Sequence, residues 1–237
     1  MNLFDFLVDV TLAAPVAELR PDYRALLIAV EDITPAPSDE RSEELLRAAE
    51  AHAQARLADA PVTELPHVAA WRAAYEAFGA QPSRTRNSAE ALLRRAGDPG
   101  TGLPRINRLT DIYNSISVRY EIPVGGENLA AYVSAPRLVR ATGAEDFATV
   151  AGGEPITEHP EPGEVIWRDD AGVTCRAWNY RQCTRTALHD DTTKALFIFD
   201  ALDPFTDEDL RAAGDELIDE LRRFSPDLAV AQRILRP

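Results

Sequence analysis

Two clusters in the sequence carry residue types suited to holding and hydrolysing a small ligand. The first lies between Leu103 and Tyr132. Asp111 and Asn114 fall on one face of a segment whose Ile112, Ile116 and Tyr120 recur at spacings of four. Pro123 ends that periodicity, and Val124-Gly125-Gly126-Glu127 predicts a turn. A helix that delivers polar side chains to a glycine-lined turn lets backbone approach a ligand closely. A buried helix followed by a tight turn accounts for the same pattern. The second cluster is Arg176-Ala177-Trp178-Asn179-Tyr180-Arg181-Gln182-Cys183-Thr184-Arg185-Thr186, directly after a predicted strand. Ordinary surface loops rarely carry Trp178 and Asn179, and loops after strands are where binding groups concentrate.

Other chemistries find little support. His52, His67, His159 and His189 lack metal-ligand spacing, and His189 before Asp190-Asp191 reads as a loop end with solvated acids. There is no nucleophile elbow, phosphate-binding glycine loop or dinucleotide fingerprint. Cys175 and Cys183 form no C-x-x-C pair, which suggests reduced thiols in a cytoplasmic protein. No metal and no cofactor are expected.

The elements that must position these clusters follow from hydrophobic patterning. Leu3–Val10 is apolar and β-branched enough for a strand, and Ala25–Val30 reads as a buried strand. Ser38 is placed to cap a helix from Asp39 to about Ala60. A second helix spans about Leu65 to Phe78, with Val68, Trp71, Tyr75 and Phe78 as its apolar stripe. Trp71 and Phe78 are expected to pack under the helix that follows. Asn87 or Ser88 caps a third helix, which ends before Gly97-Asp98-Pro99-Gly100. Strands are expected at Ala135–Val139 and Phe147–Val150, and a hairpin turns at Asp170-Ala171-Gly172. Ala195–Asp200 reads as another buried strand, and Thr206 caps a last helix from Asp207 to about Phe224. Strands mixed with early and late helices argue for an α+β fold.

These motifs, together with Gly163–Asp169 (G-E-V-I-W-R-D) and Cys175–Thr193, resemble the tRNA-editing domain of the bacterial phenylalanyl-tRNA synthetase beta chain. That domain is formed by the beta chain's third and fourth modules. The resemblance is closer to short bacterial proteins made of this domain alone, and it covers roughly Ser83 to Leu202. It implies a three-layer domain with a β-sandwich of unusual topology flanked by helices. It also implies a pocket for the aminoacylated 3′ end of a mischarged tRNA. The ester there is hydrolysed by a positioned water, backbone groups and the substrate's own ribose hydroxyls, without a covalent nucleophile.

Carried onto this sequence, Asp111 and Asn114 match the polar pair of the family's V-D-x-x-N helix. Gly125 stands where the synthetase has a pocket histidine, and Tyr113 where it has a threonine, so tyrosine-specific editing is not implied. Asn114 and Asn179 are the expected catalytic positions, orienting the attacking water or the substrate amine. Asp111, Tyr113, Gly125, Gly126, Glu127, Arg176, Arg181, Gln182 and Thr186 are the expected substrate contacts. Residues 1–237 are read as one editing-type domain, an amino-terminal lobe at 1–80 and a pocket-bearing core at 81–237. A non-catalytic amino-acid or RNA binding module, or a hydrolase of a small aminoacyl compound, remains as the alternative.

Charge bears on the partner. With 25 basic against 39 acidic residues the net charge is −14, which argues against general coating of nucleic acid. Between Gln81 and Tyr120, however, seven arginines face three acids. Arg84, Arg86, Arg105 and Arg108 are therefore expected to hold tRNA phosphates, although an ordinary mixed-charge surface has the same look. DNA is not an expected partner. No apolar run approaches the roughly 20 residues a membrane span needs. Met1–Val10 holds Asp5 and Asp9 and no basic residue, so it does not read as a secretory signal.

Overall fold

The computed structural model describes residues 2–237. The chain opens with a helix, α1 (Leu3–Val8), where a strand was expected. Its buried residues are Leu3, Phe6 and Leu7, which is helical spacing, and the Asn2 side chain caps the Phe4 N–H. Next come β1 (Thr11–Leu12), α2 (Ala14–Leu19) and β2 (Arg24–Glu31). Helix α3 (Glu40–Asp59) is capped by Asp39 in a reciprocal box with Ser42, not by Ser38. The Ser38 hydroxyl instead donates to Asp111 at 2.5 Å. Helices α4 (Pro66–Ala77), α5 (Ser88–Gly97) and α6 (Arg108–Arg119) follow.

The expected Val124–Glu127 turn is a strand, β3 (Val124–Asn128), with Gly125 opposite Ile198 and Gly126 opposite Phe197. Gly126 is required by packing: a Cβ there would lie 2.8–3.0 Å from Leu188, Tyr113 and Phe197. Then come β4 (Arg137–Arg140), β5 (Phe147–Ala151), β6 (Glu154–Glu158), β7 (Val165–Asp169) and β8 (Gly172–Arg176). The chain closes with β9 (Arg181–Gln182), β10 (Ala195–Ala201), α7 (Asp207–Phe224) and β11 (Ala229–Leu235).

The fold is α+β, and its layers are legible in β2. Ala25, Leu27 and Ala29 enter one core, while Leu26, Ile28 and Val30 enter another, as strand alternation requires. One sheet runs β11-β2-β10-β3, antiparallel throughout. A second runs β1-β4-β7-β8-β9, with β1 and β4 parallel, and β5 and β6 pair antiparallel as a separate two-stranded sheet. The first core lies between the two sheets, where Leu27 and Leu196 meet Leu138, Val165 and Trp167. The second lies beneath the helices, where Leu26 and Phe197 meet Ile112 and Ile116 of α6 and Leu217 of α7. The stack is thus sheet, sheet, helices. Residues 1–80 are interleaved with the rest, since β2 sits between β10 and β11 in one sheet.

Helix α6 is buried continuously from Leu109 to Val118, because α3, α5, α7 and β3 surround it. The Asn107 side chain caps it at Thr110 N–H, 2.9 Å away. It ends on Glu121, left-handed at φ 55°, with the Ile122 N–H returned to the Ser117 carbonyl. Trp71 and Phe78 of the α4 segment pack on Trp178, rather than under the next helix as expected. Trp71→Ala should therefore cost about 3–5 kcal/mol. Denaturant unfolding checks this, and a loss under 1 kcal/mol would mean that the aromatic cluster does not hold the sheets.

Candidate functional site

A cavity of about 240 Å³ opens where α6, β3 and the segment after β8 converge. It is smaller than the roughly 300–1,000 Å³ of drug-sized ligand sites, and so suits a group of amino-acid size. Helix α6 contributes Tyr113 and Asn114, and β3 contributes Gly125 and Glu127. The segment after β8 contributes Asn179, Arg181 and Gln182. The Gln182 amide is held by its Nε2 donating to the Gly126 carbonyl at 3.1 Å.

Asn179 owes its position to two successive left-handed residues, Ala177 at φ 42° and Trp178 at φ 65°. Such conformations cost non-glycine residues about 1–3 kcal/mol each, and persist only where surroundings enforce them. Here Trp178 is fully buried, with its ring edge-on to Tyr23 and Trp71. The Ala177 N–H donates to Glu164 at 2.8 Å, and the Trp178 N–H to the Val165 carbonyl at 2.6 Å. The Asn179 side chain accepts from the Tyr75 hydroxyl at 2.8 Å and donates to Asp200 at 3.2 Å.

Asp200 is a cavity residue that sequence reasoning missed. It closes the apolar run Ala195–Phe199 on β10, and a lone acid within a buried strand is the signal that could have found it. Burial pushes its carboxyl up to about 7, against the Tyr23 hydroxyl donating at 2.5 Å and the Asn179 amide. Burial likewise pushes Glu127 up to about 7, although it accepts from Tyr132. Neither carboxyl makes an ion pair among the described residues. Cys175 also lines the cavity, but burial raises its thiol well above the ordinary range, which disfavours a thiolate nucleophile.

Several of the wall residues also carry a buried polar atom without a partner. Among the described residues, seven buried side-chain polar atoms have no hydrogen-bond partner, and four belong to residues lining this cavity. They are the Ser88 hydroxyl, the Trp167 and Trp178 indole N–H groups and the Arg181 Nε. Leaving a buried polar group unmatched costs about 1–3 kcal/mol.

The other expected site residues lie elsewhere. Asp111 is fully buried away from the cavity and accepts from Ser38, Ser42 and the Ile106 N–H, so it fastens loops. Gly126 meets the site only through its carbonyl, and Thr186 acts on Glu127 from behind. Arg176 is committed to Glu158 and Glu164, at 2.9 and 2.8 Å, and lines a second cavity. Arg105 is clasped by Glu43 and Glu50, and Arg108 by Asp39, and neither lines either cavity. Arg86 lies 3.9 Å from Glu90, while Arg84 borders the second cavity.

Residues 70–215 match the family described as the B3/4 domain. The chain belongs to that family. The B3/4 match takes in the residues that line the cavity, from Ser88 to Asp200. A structural likeness also extends to an N-terminal fragment of the phenylalanyl-tRNA synthetase beta-subunit from Pyrococcus horikoshii. It has a TM-score of 0.46 and 11% identity over 96% of this chain and 54% of that one, about half the fragment's length. No curated protein matches the sequence. Among the described residues no helix is long and apolar enough to cross a membrane, and no group of three or more His, Cys, Asp or Glu could hold a metal ion.

The raised carboxyls have a thermodynamic signature in this B3/4 protein. Unfolded, Asp200 titrates near 3.9. Folded, at about 7, it binds more protons across the interval, so its contribution to stability falls as pH rises from about 4 to 7. His67, which burial pushes down to about 4, acts in the opposite sense, so the parent must be compared with Asp200→Asn. Measured by urea unfolding, the variant should gain relative to the parent as pH rises through that window, by on the order of a few kcal/mol. Parallel curves would show that Asp200 titrates normally.

Proposed function

We propose that the protein is an aminoacyl-tRNA deacylase acting in trans, which hydrolyses the ester of a mischarged tRNA. One observation carries the reading: a cavity of amino-acid size whose walls bring together two buried carboxyls, Glu127 and Asp200, and the carboxamides of Asn114, Asn179 and Gln182. An aminoacyl ester is complementary to both, because its ammonium group donates while its ester and ribose oxygens accept. B3/4 membership and the sequence resemblance to synthetase editing domains support the same reading.

The chemistry proposed is attack of a positioned water on the ester carbonyl. The Asn114 carboxamide, which has no side-chain hydrogen bond among the described residues, and the Asn179 carboxamide on its strained turn orient water and substrate. Glu127, at about 7, is matched to accept a proton near neutrality. Backbone N–H groups stabilise the developing oxyanion. Cys175 takes no part, since its thiol stays protonated.

The deciding experiment is deacylation of a panel of mischarged tRNAs by the purified protein. Turnover of at least one supports the reading. Binding without turnover selects an amino-acid or RNA binding module, and inertness leaves a hydrolase of small aminoacyl compounds. Within the reading, Asn114→Ala should lower kcat/KM roughly 10²–10³-fold, the worth of a lost transition-state hydrogen bond. Near-normal kcat/KM in that variant would remove Asn114 from the constellation. Gly125 has an extended backbone, and a Cβ there would meet Gln182 Nε2 at 3.0 Å. Gly125→Val should therefore fill the cavity and abolish turnover while unfolding stays cooperative. Normal deacylation by that variant would place the chemistry elsewhere.

A further inference from the structure

Strand β11 is an edge of the four-stranded sheet, and among the described residues no strand pairs with its outer side. Its register with β2 is unbroken from Ala229 to Leu235, and it holds no proline. Edges are usually blunted by bulges, proline or cover, because free N–H and C=O groups recruit another strand. Helix α7 lies over β2, with Gly214 against Leu26 and Ile28, and leaves a groove between itself and β11. Two cavities of about 410 Å³ make up this groove and share Asp215 and Gln232. Arg211 accompanies Ile234 in one, and Asp219 and Arg222 accompany Val230 in the other. Helix and strand therefore run antiparallel, with Asp215 level with Gln232.

The charges along that groove are uncommitted. At 3.6 residues per turn, Glu208, Arg211, Asp219 and Arg222 all fall within about 40° of Asp215 around α7, one stripe. All five are exposed, and among the described residues none makes an ion pair; Arg211 donates only to the Asp207 carbonyl. On the opposite flank, Glu216 and Glu220 are paired with Arg119 of α6 and Arg41 of α3. The other two cations at the groove are also engaged, Arg233 by the Leu7, Val8 and Val10 carbonyls and Arg236 by Asp207.

We propose that β11 pairs antiparallel with β11 of a second copy of this chain, about a two-fold axis at Gln232, joining two four-stranded sheets into one. The charge order along α7 selects a second copy as the occupant. A two-fold axis sets residues equally far either side of Asp215 opposite one another. Arg211 and Asp219, four residues either side, thus face each other's counterparts, as do Glu208 and Arg222, seven residues either side. Asp215 alone meets its like. Strands roughly 4.8 Å apart put the two α7 helices about 14 Å from each other, within reach of arginine and carboxylate side chains. The opposite edge is β3, which lines the candidate site, so the dimer leaves that site open. The inference is independent of the deacylase reading.

The test is sedimentation of the intact protein at physiological salt, which screens the net charge of −14 on each copy beyond about 8 Å. The parent should sediment at twice its 26.0 kDa at micromolar concentration. Arg211→Glu should weaken dimerisation roughly tenfold, since two pairs change from attraction to repulsion. Adding Asp219→Arg should restore it, because the swapped charges are again complementary. Both positions are exposed, and thermal unfolding confirms that the variants are folded. Hydrogen exchange locates the contact: the outward-facing β11 amides should be protected in the dimer and exchange faster on dilution. A monomer up to millimolar concentration, a dimer indifferent to Arg211→Glu, no recovery in the double variant, or β11 amides unchanged on dilution would each overturn the proposal.

Discussion

The site depends on one constraint: the left-handed turn at Ala177 and Trp178 is held by burial of the Trp178 ring. Two adjacent non-glycine residues at positive φ would relax in a loop free to move. Here the indole is clamped by Tyr23 from the start of β2 and by Trp71 and Phe78 from the α4 segment. Relaxing the turn would pull a tryptophan out of the core between the sheets, a loss on the order of several kcal/mol. The strain is therefore carried by the fold, and its product is Asn179 fixed between Tyr75 and Asp200. That arrangement explains what residues 1–80 contribute. They supply the aromatic clamp, the Tyr23 hydroxyl on Asp200 and a central strand.

The same dependence shows why part of the molecule was legible in the sequence and part was not. Continuous apolar runs at Ala25–Val30 and Ala195–Phe199 have the length of buried strands, α3, α5 and α7 carry side-chain caps, and α4 carries an apolar stripe. Leu3–Val10 was misread because eight residues with apolar side chains at mixed spacing suit strand or helix, and the cap that decides it is Asn2. Gly125-Gly126 misled in the opposite way. Paired glycines usually mark turns, but here they let Tyr113, Leu188 and Phe197 close over a strand. Within the candidate site, local pattern could point to Asn114 and Asn179 and flag Asp200 as a lone acid in a buried strand, but not bring Asp200 and Tyr23 together. Their roles arise only from the pairing of β10 with β2 across more than 160 residues of chain.

Arginine pairing is a further property that composition cannot reveal. A surplus of arginine over acid between Gln81 and Tyr120 looks like an RNA footprint when counted along the chain. In three dimensions the acids come from elsewhere: Glu43 and Glu50 from α3, Asp39 from its cap and Glu216 from α7. Most of that surplus is spent fastening helices together. Contacts of this kind are worth little individually where exposed, but they remove the guanidinium from competition for phosphate. What matters for RNA is thus the number of uncommitted arginines, which is far smaller than the number present.

The buried carboxyls show the balance between stability and the proposed function. Asp200 and Glu127 would be better solvated on the surface, and burial holds both near neutrality's edge. A hydrophobic replacement of similar size would remove that penalty, as buried ionisable groups are weak contributors to stability. Their retention inside a cavity makes sense if a ligand's cation or proton completes them. In the proposed reading, the substrate's ammonium meets these carboxyls and its ester meets the carboxamides of Asn114 and Asn179.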